Sequence, residues 1–277
     1  MSELYVGPAG WSYEDWKGRV YPEPAPRNFD PLAYLARSFN AIEVNSSFYR
    51  PPSARMAASW ARRVPDAFRF TVKAWQRFTH DREAFSGADV LLFREGLAPL
   101  AASGKLAAVL LQFPWFFRMS GDNRDRLRRA AEALADVGAP LVVELRHRSW
   151  LEAFDLLRAL KLSFCNIDQP PSAGALTGTR YVTGPIGYAR LHGRNAKAWF
   201  DPRAGRDAKY DYLYSAEELK PWIEAVAEMG EADSVFVITN NHFQGKAVAN
   251  ALQLAKALGK ELEIPAPLRA AYPELFP

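Results

Sequence analysis

Charged and amide side chains recur in this chain two residues apart, each pair at the end of an apolar run. The pairs are Glu43 and Asn45, Glu144 and Arg146, Asn166 and Asp168, and Arg190 and His192. Lys73, Gln112 and the neighbours Asn240 and Asn241 close three further runs. Side chains alternate across a strand with period two, so the two members of each pair share a face. Val44, Leu145, Ile167 and Leu191 then point the other way. The residue types suggest two kinds of chemistry. Lys73, Arg146 and Arg190 could hold a phosphate, arginine in bidentate fashion and lysine as a point charge. Glu43, Glu144 and His192 could move protons, with His80 and His147 as further acid–base candidates. A single metal held by Glu43, Glu144, Asp168 and His192 is an arrangement these donors allow, although no ligand motif of fixed spacing accompanies them. A nucleophile elbow and a phosphate-binding P-loop are both absent from the sequence. Cys165 lies inside an apolar run and reads as an inert core thiol.

The elements that must position these groups are short and regular. Strand-like runs fall at Leu4–Val6, Ala41–Asn45, Phe68–Lys73, Ala107–Gln112, Leu141–Arg146, Leu162–Asp168, Gly187–His192 and Ser234–Asn240. Helical spacing follows Pro31, through Leu32, Leu35, Ala36 and Phe39. It returns at Asn123–Val137, Leu151–Leu160, Ala216–Met229 and Gly245–Leu258, with Gly138 and Gly259 as stop signals. Eight strands alternating with helices predict βαβ units, and right-handed crossovers repeated in this way close a TIM-type (β/α) barrel of seven or eight parallel strands. An open doubly wound sheet is weakened because the first strand lacks a Gly-x-Gly-x-x-Gly turn. Residues 169–184 are rich in Pro, Gly, Ser and Thr, so one helix is expected to be missing after strand six. No interdomain linker interrupts residues 1–277, which reads as one domain.

In a parallel barrel both faces of a strand are covered, so polar residues at strand ends are gathered at the mouth, where barrel enzymes carry their sites. Six of the eight tryptophans (Trp11, Trp16, Trp75, Trp115, Trp150, Trp199) fall just after strands or in the βα-loops, joined by Tyr13, Tyr49 and other aromatics. Their faces could stack on sugars or bases; the plainer use is to pack long loops against the barrel. The plainer use of the charged set is likewise an ion-pair network that satisfies itself.

Composition narrows the setting. The 277 residues are 49% hydrophobic and 24% charged, with a net charge of +4, which permits an anionic ligand or nucleic acid without requiring one. The single cysteine, the lack of a basic-then-apolar leader and the lack of a long apolar run point to a cytoplasmic, non-membrane protein.

Several segments match a known pattern: Gly10-Trp11-Ser12-Tyr13 with Trp16 and Tyr21-Pro22, Glu43-Val44-Asn45-Ser46-Ser47-Phe48-Tyr49, Val72-Lys73 with Thr79-His80, Leu111-Gln112-Phe113-Pro114, Glu144-Leu145-Arg146-His147 with Ser149-Trp150, Arg190-Leu191-His192-Gly193, and Asn240-Asn241-His242. In these the chain resembles the YecE-like proteins, known as domain of unknown function 72. The resemblance implies a TIM barrel and supplies no activity, cofactor or oligomeric state. The family's first segment usually reads Gly-Thr-Ser-Gly-Trp, where this chain has Gly7-Pro8-Ala9-Gly10-Trp11. The barrel is similar to those of endonuclease IV-like and xylose isomerase-like proteins, an analogy of fold.

Three functions follow as expectations. The first is a phosphate-containing ligand, an anionic small molecule or nucleic acid, with phosphodiester hydrolysis as its chemistry. The second is a carbohydrate enzyme, a glycoside hydrolase or sugar isomerase, using Glu43 and Glu144. The third is a non-catalytic binding protein. For the two enzymatic functions, Glu43, Glu144 and His192 are the expected catalytic groups. Asn45, Lys73, His80, Gln112, Arg146, Asp168, Arg190, Asn240, Trp11, Tyr13 and Tyr49 are the expected ligand contacts. Arg190→Ala is expected to abolish anion binding and to spare the fold.

Overall fold

A computed structural model describes residues 2–276. Eight strands form one parallel sheet: β1 Glu3–Pro8, β2 Ala41–Val44, β3 Arg69–Lys73, β4 Leu106–Gln112, β5 Leu141–Glu144, β6 Leu162–Asp168, β7 Ile186–Leu191 and β8 Ser234–Thr239. Each strand pairs with its sequence neighbour from β2 to β8, and β8 pairs with β1. The sheet therefore curls into the expected TIM-type barrel.

The last seam, between β1 and β2, is closed differently. A backbone bridge joins Ala9 and Glu43, with the Gly10 amide donating to the Glu43 carbonyl at 2.8 Å. Lower down, the Asn40 side chain stands in for a peptide group: the Val6 amide donates to its Oδ1 (3.0 Å), and its Nδ2 donates to the Leu4 carbonyl (2.8 Å). Gly7 makes this approach possible, because a Cβ there would lie 1.8 Å from the Ala41 carbonyl oxygen.

Helices follow the strands: α1 Pro31–Leu35, α2 Ala54–Arg62, α3 Gly87–Ala102, α4 Gly121–Leu134, α5 Phe154–Ala159, α6 Ala216–Glu228 and α7 Lys246–Ala257. Their starts are chemically marked. Asp30 accepts from the Leu32 and Ala33 amides, Ser53 and Ser120 cap α2 and α4, and Ser86 and Ser215 form capping boxes with Asp89 and Glu218. Residues 169–184 contain no helix, as their composition predicts. The helical spacing did not single out α2 and α3, two helices between β2 and β4. Trp60 of α2 lines the mouth, so this omission hid one wall of the site.

The missing helix also changes β6. Its outer face meets the 169–184 loop, whose backbone is polar, instead of an apolar helix. Asn166 turns outward and serves that loop: its Oδ1 accepts from the Tyr181 amide (2.8 Å) and its Nδ2 donates to the Tyr181 carbonyl (2.9 Å). Period two then carries Asp168 outward as well, where it holds Arg194 and the Trp222 indole. The pair 166/168 therefore does not share the mouth with the other three pairs. An outward polar residue is the expected result where a strand is covered by loop backbone that needs hydrogen bonds.

Candidate functional site

The floor of the mouth is a buried chain of charges. Arg190 of β7 stands between two carboxylates: its Nη2 donates to Glu43 Oε1 at 2.6 Å, and its Nη1 donates to Glu144 Oε2. Nη1 also reaches Gln112 Oε1 at 3.3 Å. Glu144 in turn accepts from Arg146 Nε at 2.7 Å, and His192 Nε2 lies 3.3 Å from the same oxygen. Beneath them the Tyr188 hydroxyl lies 2.9 Å from Glu43 Oε2 and 2.8 Å from Thr71 Oγ1. Glu43, Glu144, Arg190 and His192 are all essentially inaccessible to solvent.

Burial and neighbours set the charges. Burial alone would raise the Glu144 carboxyl, but Arg190, Arg146 and His192 hold it well below the usual carboxylate range. It stays ionised. His192 is pushed the other way, down to about 3, first by burial and then, against the opposing pull of Glu144, by Arg146. It stays neutral. Asn45 Nδ2 donates to Asn240 Oδ1 (3.2 Å), which leaves Asn240 Nδ2 to donate to His192 Nδ1 (2.9 Å). Its Nε2 faces an acceptor, Glu144 Oε1 at 3.3 Å, and a donor, Arg146 Nη2 at 3.4 Å.

Above this floor opens a cavity of about 450 Å³. Trp11, Tyr13, Asn45, Tyr49, Lys73, Gln112, Arg190 and Asn240, eight of the residues expected from sequence, line it. Lys73 Nζ lies 3.8 Å over the centroid of the Phe48 ring, and the His80 ring stands edge-on to Phe48 at 4.8 Å. His80 is lowered to about 4, by burial and by the Lys73 charge. Lys73 itself is lowered to about 7, by burial first and then by Arg190, against the pull of Glu144. Asn45 Oδ1 is buried with no hydrogen-bond partner among the described residues.

The remaining expected residues lie elsewhere. Glu43, Glu144 and His192 form the floor and do not line the cavity. Arg146 faces a smaller neighbouring cavity of about 190 Å³, beside Trp199 and Trp115. Asp168 borders a third, outer depression with Arg194 and Trp222. Arg190 is as much structure as site, since removing it would leave two buried carboxylates facing each other. The expectation that Arg190→Ala spares the fold therefore gives way to one of strong destabilisation.

The aromatics differ in where they lie. Trp16 and Trp150 are fully buried and brace loops, donating to the His242 and Phe117 carbonyls. Trp11 packs edge-on against Trp60 and lines the cavity. Tyr13 stacks on His242 at 4.6 Å, and its hydroxyl donates to the Ala9 carbonyl. Gly10 allows this: its φ is +84°, and a Cβ there would lie 2.6 Å from the Tyr13 hydroxyl. Tyr49, Trp115, Phe116 and Phe200 are exposed around the rim. Arg206, Tyr210 and His242 also line the cavity. Arg206 comes from the long segment between β7 and α6, where no periodicity marks a residue's direction.

The family described as "Protein of unknown function DUF72" matches residues 5–273. This chain belongs to the DUF72 family. Its UPF0759 protein YunF relative from Bacillus subtilis is 31% identical over 275 residues, covering 93% of this chain and 95% of that protein. The crystal structure of a DUF72 family protein from Thermotoga maritima is similar with a TM-score of 0.82 at 34% identity, covering 93% of this chain and all of that one. A DUF72 family protein from Enterococcus faecalis gives a TM-score of 0.82 at 28% identity, covering 94% and 97%. The barrel and its strand order are thus those of DUF72 proteins. Among the described residues no helix is long and apolar enough to cross a membrane.

Proposed function

We propose that this DUF72 protein binds a small phosphate-bearing ligand of sugar-like character in the cavity at the barrel mouth. The observation that carries the reading is Lys73: a cation facing the cavity, with no carboxylate in ion-pair contact among the described residues. Lys73, Arg146 and Arg190 face only Glu43 and Glu144, so with Lys73 protonated, as an approaching phosphate favours, the mouth carries one positive charge in excess. Phosphate is the complement of such a charge in a partly desolvated pocket. The rest of the wall suits a hydroxylated body. Asn45 Oδ1 is an acceptor in need of a donor, which a sugar hydroxyl supplies. Trp11, Phe48, Tyr49 and Tyr210 offer ring faces. The volume of the cavity suits a monomeric ligand or one nucleotide unit of a flexible strand.

The carboxylates support hydrolysis poorly. A glycosidase needs one carboxylic acid to protonate the leaving oxygen. Glu144 is held ionised by two arginines, and both glutamates lie behind Arg190. Among the described residues no three His, Cys, Asp or Glu side chains are gathered in the manner of a metal cluster, so the reading rests on the cations.

The test is calorimetric titration of wild type and Lys73→Met with inorganic phosphate, glucose 6-phosphate and glucose. The expected result is binding of the phosphorylated compounds by wild type, weakened at least about tenfold in the variant, in keeping with loss of a charge-assisted hydrogen bond. Equal binding of glucose by both proteins would shift the function to neutral carbohydrates. No heat with any of the three would overturn the reading.

A further inference from the structure

The ligand reading uses Lys73 only as a charge, yet its surroundings equip the amine for more. Lys73 ends β3, and its Nζ rests over Phe48 in the cavity. The two carboxylates near enough to influence it are both turned to arginines, Glu43 to Arg190 and Glu144 to Arg190 and Arg146. A lysine paired with a carboxylate keeps its proton; one left among arginines in a half-dry pocket gives it up more readily. We propose that Lys73 is the nucleophile of a carbonyl site, condensing with the aldehyde or ketone group of a phosphate-bearing ligand to form an imine. This deepens the proposed function and rests on it for the phosphate, though not for the amine.

The step balances without a further reagent. The nitrogen lone pair attacks the carbonyl carbon, a C–N bond forms, and the C–O π pair moves to oxygen. The nitrogen's proton passes to that oxygen. A second proton then leaves with the hydroxyl as water while C=N forms. The surroundings favour each stage. The amine is held at about 7, by burial and Arg190, so a large share is neutral at neutral pH. A lysine at the ordinary value of about 10.4 is neutral in only about one molecule in 2500 at that pH. The Phe48 face limits water at the nitrogen, which favours a product formed by losing water. Gln112 accepts from Arg190 through Oε1, which leaves its NH2 to donate to the oxygen of the addition intermediate.

Lysine amines desolvated beside another cation are an established way to obtain an imine-forming nucleophile. Surface lysines lack that tuning, and this difference is what the experiment reads. Wild type would be incubated with glyceraldehyde 3-phosphate and sodium cyanoborohydride, and the reduced adducts mapped by peptide mass spectrometry. In parallel, binding of glycerol 3-phosphate, which has the phosphate and no carbonyl, would be measured by calorimetry. The expected outcome is labelling of Lys73 at least about tenfold faster than any other lysine, with a rate that rises through about pH 7, and slowing of that labelling by glycerol 3-phosphate. Lys73→Arg should lose the fast adduct and keep its circular-dichroism melt. Should that variant fail to fold, the wild-type map decides alone. If glycerol 3-phosphate binds and Lys73 labels no faster than surface lysines, the imine is overturned and the phosphate reading stands. If Lys73 labels selectively and glycerol 3-phosphate does not bind, the phosphate reading falls and the imine stands. If neither occurs, both fall.

Discussion

The floor and the wall of the barrel mouth use similar side chains to opposite ends. In the floor, Glu43, Arg190, Glu144 and Arg146 form an alternating row in which each carboxylate meets at least one guanidinium, and His192 is fixed by Asn240 on one side and faces Glu144 on the other. In the wall, Lys73 has only an aromatic face, and Asn45 Oδ1 has no partner. Charges buried in pairs hold a shape, whereas a charge left over in a cavity is available to a ligand. Burial of titratable groups is therefore a poorer guide to which of them act than their partners are.

The largest way to break this comparison is to treat the floor as if it were a binding group. Arg190→Leu leaves Glu43 and Glu144 buried without their shared cation and should cost about 3–5 kcal/mol of stability in urea denaturation at pH 7. A variant as stable as wild type would show that the row is not structural. Acid should weaken the floor in the same sense. His192 is near 6.5 when unfolded and about 3 when folded, so the unfolded chain takes up a proton that the folded chain refuses. Its contribution is complete above about pH 6.5 and is lost as pH falls from there towards 3. Glu144, held low, adds to the acid side only below the ordinary carboxylate range. Between pH 7 and pH 4, wild type should lose about 3 kcal/mol more than His192→Gln. Equal losses would mean that His192 is protonated in the folded protein. The smallest effect belongs to the wall and has the opposite sign. Lys73→Met removes an unpaired, half-buried amine, part of it charged, from beside Arg190 and should stabilise the protein by about 1 kcal/mol, seen as a raised Tm near neutral pH. A destabilised Lys73→Met would show that the wall, like the floor, is held by its charges.

Much of this was legible in the sequence. Strand ends that turn polar, spaced by two, located the mouth and placed Glu43, Asn45, Glu144, Arg146, Arg190 and His192 on its inward face. The same rule misplaced Asp168, because alternation shows which residues share a face and not which face is inside. On β6 the decision was made by the loop that replaces a helix, whose Tyr181 backbone claims Asn166. Partition of partners was not legible either. Three cations and two carboxylates near one another do not reveal which cation is left over; only the reach of Arg190 to both glutamates shows that it is Lys73. Arg206 and Trp60 escaped notice for simpler reasons, one lying in a segment without periodicity and the other on a helix whose spacing did not stand out.

The seam between β1 and β2 has a consequence for the protein's ageing. Asparagine is among the chemically labile residues, and Asn40 donates through Nδ2 to the Leu4 carbonyl while accepting from the Val6 amide. Loss of that nitrogen by deamidation would leave a carboxylate oxygen against a carbonyl oxygen, where a donor had stood. A single hydrolysed amide, with no change in the encoded sequence, would thus loosen the hoop at the stitch that Asn40 makes.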